Sequence, residues 1–100
     1  DSRTEKDGKV KAGETRTIKL PSDLKNASGV HVTITSTEPD AAGFMTIWSG
    51  QGSVPLSSNV NFQPGIGANA NTTITAVSNG QFKVYASSAT HVVLDVVAAD

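Results

Sequence analysis

The chain has 100 residues, a formal net charge of −1 at neutral pH and no cysteine. That length suits one ordinary domain with a hydrophobic core of its own. Without cysteine, this stretch of chain has no disulfide, thiolate zinc site or cysteine nucleophile, and the near-zero charge argues against a nucleic-acid binder. We therefore expect a single domain over residues 1–100.

The charge is concentrated near the N-terminal end. Seven of the eight Lys and Arg residues lie between Arg3 and Lys25, whereas Lys83 is the only charged residue between Ala41 and Leu94. We expect residues 1–14 to form an extended lead-in that Val10 anchors. The long uncharged segment is rich in Ser, Thr, Asn and Gln, a composition common on extracellular and virion β-domains. The chain begins without an initiator Met, which favours a processed product or an excised piece.

Short alternating segments fill the rest of the chain. Val30, Val32 and Ile34 point to one face of the clearest strand, and in an earlier strand Ile18 and Leu20 point inward, with Arg16 and Lys19 available to solvent. The predicted strands are Thr15–Leu20, Val30–Thr37, Gly43–Trp48, Ser58–Phe62, Ala68–Val77, Gln81–Ala86 and His91–Val97.

Turn residues separate these strands. Pro21–Gly29 has room for one helical turn, and Ser49–Ser57 is a loop by composition. The strongest local signal is Asn79-Gly80, because this pair supplies the two positive-φ residues of a type I′ hairpin.

Short strands with frequent turns and no helical period predict an all-β fold. We expect an antiparallel β-sandwich, Ig-like or jelly-roll-like, of about seven to eight short strands. Gly43–Trp48 is apolar on both faces, which favours a central strand covered on both sides. With five aromatic residues in the chain, we expect the core to take Phe44, Phe62 and Phe82.

Catalytic motifs do not assemble from this sequence. Gly65–Ala70 fits a dinucleotide-binding pattern, but a Thr-rich, strand-like segment follows it where the chemistry needs a helix. His31 and His91 are the candidate bases and Asp95 the candidate orienting group. His91 and Asp95 lie four residues apart in a predicted strand, which separates them by about 13 Å. We expect no catalytic residue and no enzymatic activity.

Metal and cofactor sites are not predicted either. The candidate ligands His31, His91, Glu38 and Asp95 are scattered along the chain, and no EF-hand or HExxH run occurs. No apolar run is long enough to span a bilayer. We therefore expect no metal, no cofactor and no membrane insertion.

Ligand binding by aromatic stacking is the remaining possibility, with Trp48 and Tyr85 as the candidate residues. Trp48 ends a predicted strand, and Tyr85 alternates away from Phe82 and Val84. Flat aromatic rings suit the faces of sugar rings. The alternative interpretation for both residues is a place in the core.

Several short matches in the correct order carry a family resemblance. Thr37–Trp48 contains Ala-Ala-Gly-Phe and a strand ending in Trp, Pro55–Gly65 contains Ser-Asn-Val-Asn-Phe before Pro-Gly, and Asn79–Val96 contains a Gly hairpin, a Tyr strand and Ala-Thr-His before an apolar-Asp-Val strand. This pattern resembles a β-sandwich accessory module of secreted actinobacterial proteins. Similar sandwich units occur on phage virions. The resemblance carries no ligand-binding residue, and this chain departs from it in its Lys-rich N-terminal part and in ending Val-Ala-Ala-Asp.

The resemblance implies a non-catalytic, extracellular or cell-surface binding or display module that contacts cell-wall polysaccharide. The alternative is a phage virion structural protein, either a capsid decoration or a tail-associated Ig-like domain. The expected partner is a protein or polysaccharide surface and not nucleic acid. An exposed edge strand would also allow a homo-oligomer.

Overall fold

The computed structural model describes residue 3 and residues 8–24, 26–52, 59–65 and 67–99, with residues 98 and 99 described for the backbone alone. Residues 1–2 and 4–7 of the predicted lead-in, residues 53–57 of the predicted Ser49–Ser57 loop and residue 58 of the predicted strand Ser58–Phe62 lie outside this part. The described strands are β1 (Thr15–Lys19), β2 (Gly29–Thr37), β3 (Gly43–Trp48), β4 (Val60–Phe62), β5 (Asn69–Ala76), β6 (Gln81–Ala86) and β7 (His91–Ala99).

These seven strands form two antiparallel sheets. One has the order β1-β6-β3-β4 and the other the order β5-β2-β7. The predicted all-β antiparallel sandwich is confirmed, and the strand limits differ from the predicted ones by two residues at most. In the described residues, no helix has the length and apolar character that crossing a bilayer requires.

The hydrophobic core lies between the two sheets and follows strand alternation. In β2 every second residue is buried, and Val30, Val32 and Ile34 are fully inaccessible. Phe62 and Phe82 are in the core, as predicted. The core prediction for Phe44 is wrong, because Phe44 precedes the inward-facing Met45 on β3 and so lies on the outer face, 36% exposed.

Arg16 is the other residue whose predicted position is wrong. It shares the inner face of β1 with Ile18, and its side chain is only 14% exposed. Its guanidinium donates hydrogen bonds to the Gly8 and Lys9 carbonyls and pairs with Glu14. Arg16 thus ties the lead-in to the sandwich.

Val10 anchors the lead-in as predicted. It is 1% exposed, and its backbone exchanges two hydrogen bonds with Thr90. The Thr90 hydroxyl lies 2.7 Å from that of Ser36, so these two buried polar side chains satisfy each other.

The short segments between strands also have the conformations that the sequence predicts. Ser22–Leu24 forms the predicted helical turn, of the 3₁₀ type, and Leu24 packs against the core. Asn79 and Gly80 have φ angles of 55° and 73° and form the predicted tight turn, closed by a Ser78–Gln81 bridge. β5 and β6 do not pair with each other beyond this turn. β5 pairs with β2 in one sheet, and β6 pairs with β1 and β3 in the other.

Candidate functional site

The outer face of the four-stranded sheet carries the candidate site. Because Met45 and Ile47 face the core, their neighbours Phe44, Thr46 and Trp48 point outward. On β6 the core residues Phe82, Val84 and Ala86 leave Lys83 and Tyr85 on the same outer face. We call the surface formed by Phe44, Thr46, Trp48, Lys83 and Tyr85 the aromatic face.

Strand register brings these side chains together. Tyr85 lies directly opposite Thr46, and Lys83 lies directly opposite Trp48. Trp48 and Tyr85, which the sequence singled out separately, are therefore diagonal neighbours on adjacent strands. Directly opposite residues on one face of an antiparallel pair have Cβ atoms about 5 Å apart, and diagonal ones about 7–8 Å. Both predicted binding residues thus share one small area.

Phe44 and Tyr85 form an aromatic pair on this face. Their ring centroids lie 6.1 Å apart with an interplanar angle of 45°, within the range of favourable aromatic contacts. Tyr85 is half-buried, whereas Phe44 is the more accessible of the two at 36%. Sequence reasoning missed Phe44 as a surface residue, although its alternation with Met45 carried the signal.

Trp48 is the least accessible of the three aromatic residues on this face. It is only 9% exposed, yet it stands apart from the core cluster between the sheets. Its indole Nε1–H is buried and has no hydrogen-bond partner among the residues that the structure describes. Burying such a donor unpaired costs about 1–3 kcal/mol. Because the nitrogen is buried, a ligand on the surface of the sheet does not contact it.

Thr46 and Trp48 also bear on the prediction that β3 is covered on both sides. β3 lies inside its sheet between β6 and β4, and Thr46 and Trp48 are buried on its outer side. Coverage on both sides therefore holds for the end of the strand, while Phe44 at its start remains exposed.

Lys83 is the cation of the aromatic face. A Cβ placed on Gly50, whose φ is 92°, would lie 2.9 Å from Lys83 Cδ, so the chain after β3 runs directly against the lysine stem. The φ angle favours glycine at this position, whereas the flexible lysine stem could move away from a Cβ. Within the described part of the chain, Lys83 has no carboxylate partner.

The candidate catalytic residues lie on the other sheet. β7 runs unbroken from His91 to Asp95, which pair with Thr37 and Thr33 of β2. His91 Nε2 lies 3.8 Å from Glu38 Oε2 instead. His31 is in β2, opposite Ile74. The structure therefore does not bring His91 and Asp95 together.

The two remaining candidate sites are the dinucleotide-binding pattern and the metal ligands. The segment after Gly65 and Gly67 enters strand β5 at Asn69, not the helix that a dinucleotide site requires. In the described ranges no group of three or more His, Asp or Glu side chains is placed to hold a metal ion. Asp40 is engaged by Lys9, with Nζ and Oδ1 2.8 Å apart.

Comparison of the chain with protein-family models, with curated proteins and with solved structures gave no match. We therefore infer a function from the geometry of the aromatic face and from the sequence pattern. Ligand binding by Trp48 and Tyr85 stays a prediction.

Proposed function

We propose that the chain is a non-catalytic, extracellular β-sandwich module that binds cell-wall polysaccharide through the aromatic face. The observation that carries the proposal is the aromatic pair that the exposed Phe44 and the half-buried Tyr85 form on the outer face of the four-stranded sheet. The resemblance to accessory modules of secreted actinobacterial proteins supports the same assignment.

The chemistry of a sugar ring fits these groups. Its C–H faces are apolar and pack against aromatic rings, and its hydroxyl and ring oxygens accept hydrogen bonds. Phe44 and Tyr85 supply the rings, and the Lys83 ammonium supplies a hydrogen-bond donor.

The absence of carboxylates from the aromatic face supports binding without hydrolysis. Glycoside hydrolysis uses two carboxyl groups that flank the scissile bond. The five residues of the aromatic face include none, and the carboxylate of Asp95 belongs to the other sheet.

A pull-down with insoluble cell-wall fractions tests the proposal. We expect Phe44→Ala and Tyr85→Ala each to weaken binding about two- to tenfold, the range that an aromatic contact of roughly 0.5–1.5 kcal/mol gives. Ile74→Ala is the matched control, because Ile74 is an apolar residue 65% exposed on the opposite sheet. Circular dichroism of each variant separates lost binding from lost folding.

Two results would contradict the proposal. One is a wild-type chain that remains in the supernatant with every wall fraction. The other is Ile74→Ala weakening binding as much as the two variants of the aromatic face.

A second candidate function is a virion structural protein, either a capsid decoration or a tail-associated Ig-like domain. The observation that favours it is the edge strand β7, which presents Val96 and Val97 at 37% and 62% exposure. Exposed apolar edge strands recruit further chains by strand addition. Mass spectrometry of purified particles would detect the chain at stoichiometric amounts. Its absence from particles, with a monomeric state in light scattering, would exclude this function.

A further inference from the structure

We infer that the aromatic face selects acidic polysaccharides, in which sugar residues carry carboxylate groups, over neutral ones. This inference rests on the proposed polysaccharide-binding function and specifies the class of ligand. It is carried by the sign of the charges on the outer face of the four-stranded sheet.

The charges on this sheet face are all positive. The outward positions of all four strands follow from the alternation that buries their neighbours. They are occupied by Thr15, Thr17, Lys19, Phe44, Thr46, Trp48, Asn61, Gln81, Lys83 and Tyr85. Two of these residues are lysines, and none is Asp or Glu. A face with lysines and no carboxylate attracts anionic ligands and repels none of them.

Lys83 is the cation best placed to contact such a ligand. It lies on β6, an inner strand of the sheet, with Trp48 opposite it on one side and Thr17 on the other. Lys9 and Arg16, by contrast, are already paired with Asp40 and Glu14. In the described ranges Lys83 has no such partner, so its charge is available to a ligand.

The ring pair and the cation follow one another along this face. Phe44 lies diagonally beyond Tyr85, and Lys83 lies two positions from Tyr85 in the opposite direction on β6, with Cα atoms about 7 Å apart. A polyuronate chain that packs against Phe44 and Tyr85 and continues along β6 therefore passes Lys83 with the carboxylate of a neighbouring sugar residue.

Binding of the full chain to polygalacturonate, compared with fully methyl-esterified polygalacturonate, tests the inference. The two polymers share a backbone and differ in charge. We expect about fivefold tighter binding to the acidic form at 20 mM NaCl, and a difference below about twofold at 1 M NaCl, where screening acts within about 3 Å. Lys83→Gln should reduce the preference for the acidic form to below about twofold at 20 mM NaCl.

Lys9→Gln is the matched control, since it removes the same charge at a lysine that Asp40 already engages. It should keep the preference for the acidic polymer. Equal wild-type affinity for the two polymers would overturn the inference and leave the proposed function standing. Failure to bind either polymer would overturn the inference, and failure in the cell-wall pull-down as well would overturn the proposed function. A preference that survives Lys83→Gln would overturn the role of Lys83.

Discussion

At the scale of single residues, the alternation of side chains along a strand decides which face of the sheet each side chain lies on. Phe44 is apolar yet points outward, and Arg16 is charged yet points inward, because each alternates with neighbours whose faces the core fixes. The inward Arg16 is tolerated since two carbonyls and the Glu14 carboxylate satisfy its guanidinium.

Glu14 links the folding free energy to pH. Burial by itself raises the pKa of its carboxyl, but a hydrogen bond from the Lys11 backbone N–H at 2.8 Å and the pairing with Arg16 outweigh burial and lower the pKa overall. A lowered pKa in the folded state gives stability that is present above the unfolded-state pKa of about 4.3 and is lost as the pH falls through the folded-state value.

We therefore expect Glu14→Gln to reduce the acid sensitivity of the protein. The free energy of unfolding of the wild type should fall more steeply than that of the variant as the pH drops below about 4.3. Urea titrations at several pH values between 7 and 3 measure both slopes. Asp23→Asn, which removes an exposed carboxylate in the 3₁₀ turn, is the matched control for the loss of one negative charge. Equal slopes for wild type and Glu14→Gln would contradict the assignment.

At the scale of elements, the Asn79-Gly80 sequence determines the conformation of the turn but not which strands pair on either side of it. Asn79-Gly80 adopts the positive φ angles expected of a type I′ turn, and the bridge from Ser78 to Gln81 closes it. Beyond that bridge the chain separates into two sheets. The turn thus carries the chain across the sandwich, and the Gly80 carbonyl accepts a hydrogen bond from the Leu20 N–H next to β1.

The two turn residues should respond differently to substitution. Gly80→Ala forces a Cβ into the left-handed region and should lower the free energy of unfolding by about 1–2 kcal/mol. Asn79→Gly should change it by only a few tenths of a kcal/mol, because glycine adopts this φ freely while the unfolded chain gains entropy. Chemical denaturation measures both values. A larger loss for Asn79→Gly would show that its side chain matters more than the backbone angle.

At the scale of the whole molecule, the sandwich depends on contacts between distant parts of the sequence. β1 pairs with β6 and β2 pairs with β7, so the first and last strands of the described chain lie in different sheets beside strands remote from them in sequence. A single core cluster between the sheets receives side chains from β2, β3, β4, β6 and β7 together with Val10 and Leu20. This shared core couples the two sheets energetically.

We expect the chain to unfold in one cooperative transition and to refold in milliseconds to seconds, as all-β domains with remote strand pairing do. Trp48, the only tryptophan, is 9% exposed and reports on the outer side of β3. Far-UV circular dichroism reports on all the strands together. The two signals should give the same urea midpoint. Separate midpoints would mean that the aromatic face opens before the sandwich unfolds.

The sequence by itself determined the fold class, the strand positions, the Asn-Gly turn and which residues of β2 face the core. Each of these depends on neighbours along the chain, through side-chain alternation or turn stereochemistry. Only the tertiary structure decided which strands share a sheet, which of the two alternating sets of β3 faces the core, and that Trp48, Tyr85, Lys83 and Phe44 meet on one face. Those outcomes depend on strand pairing and core packing between remote segments, which alternation within one strand does not encode.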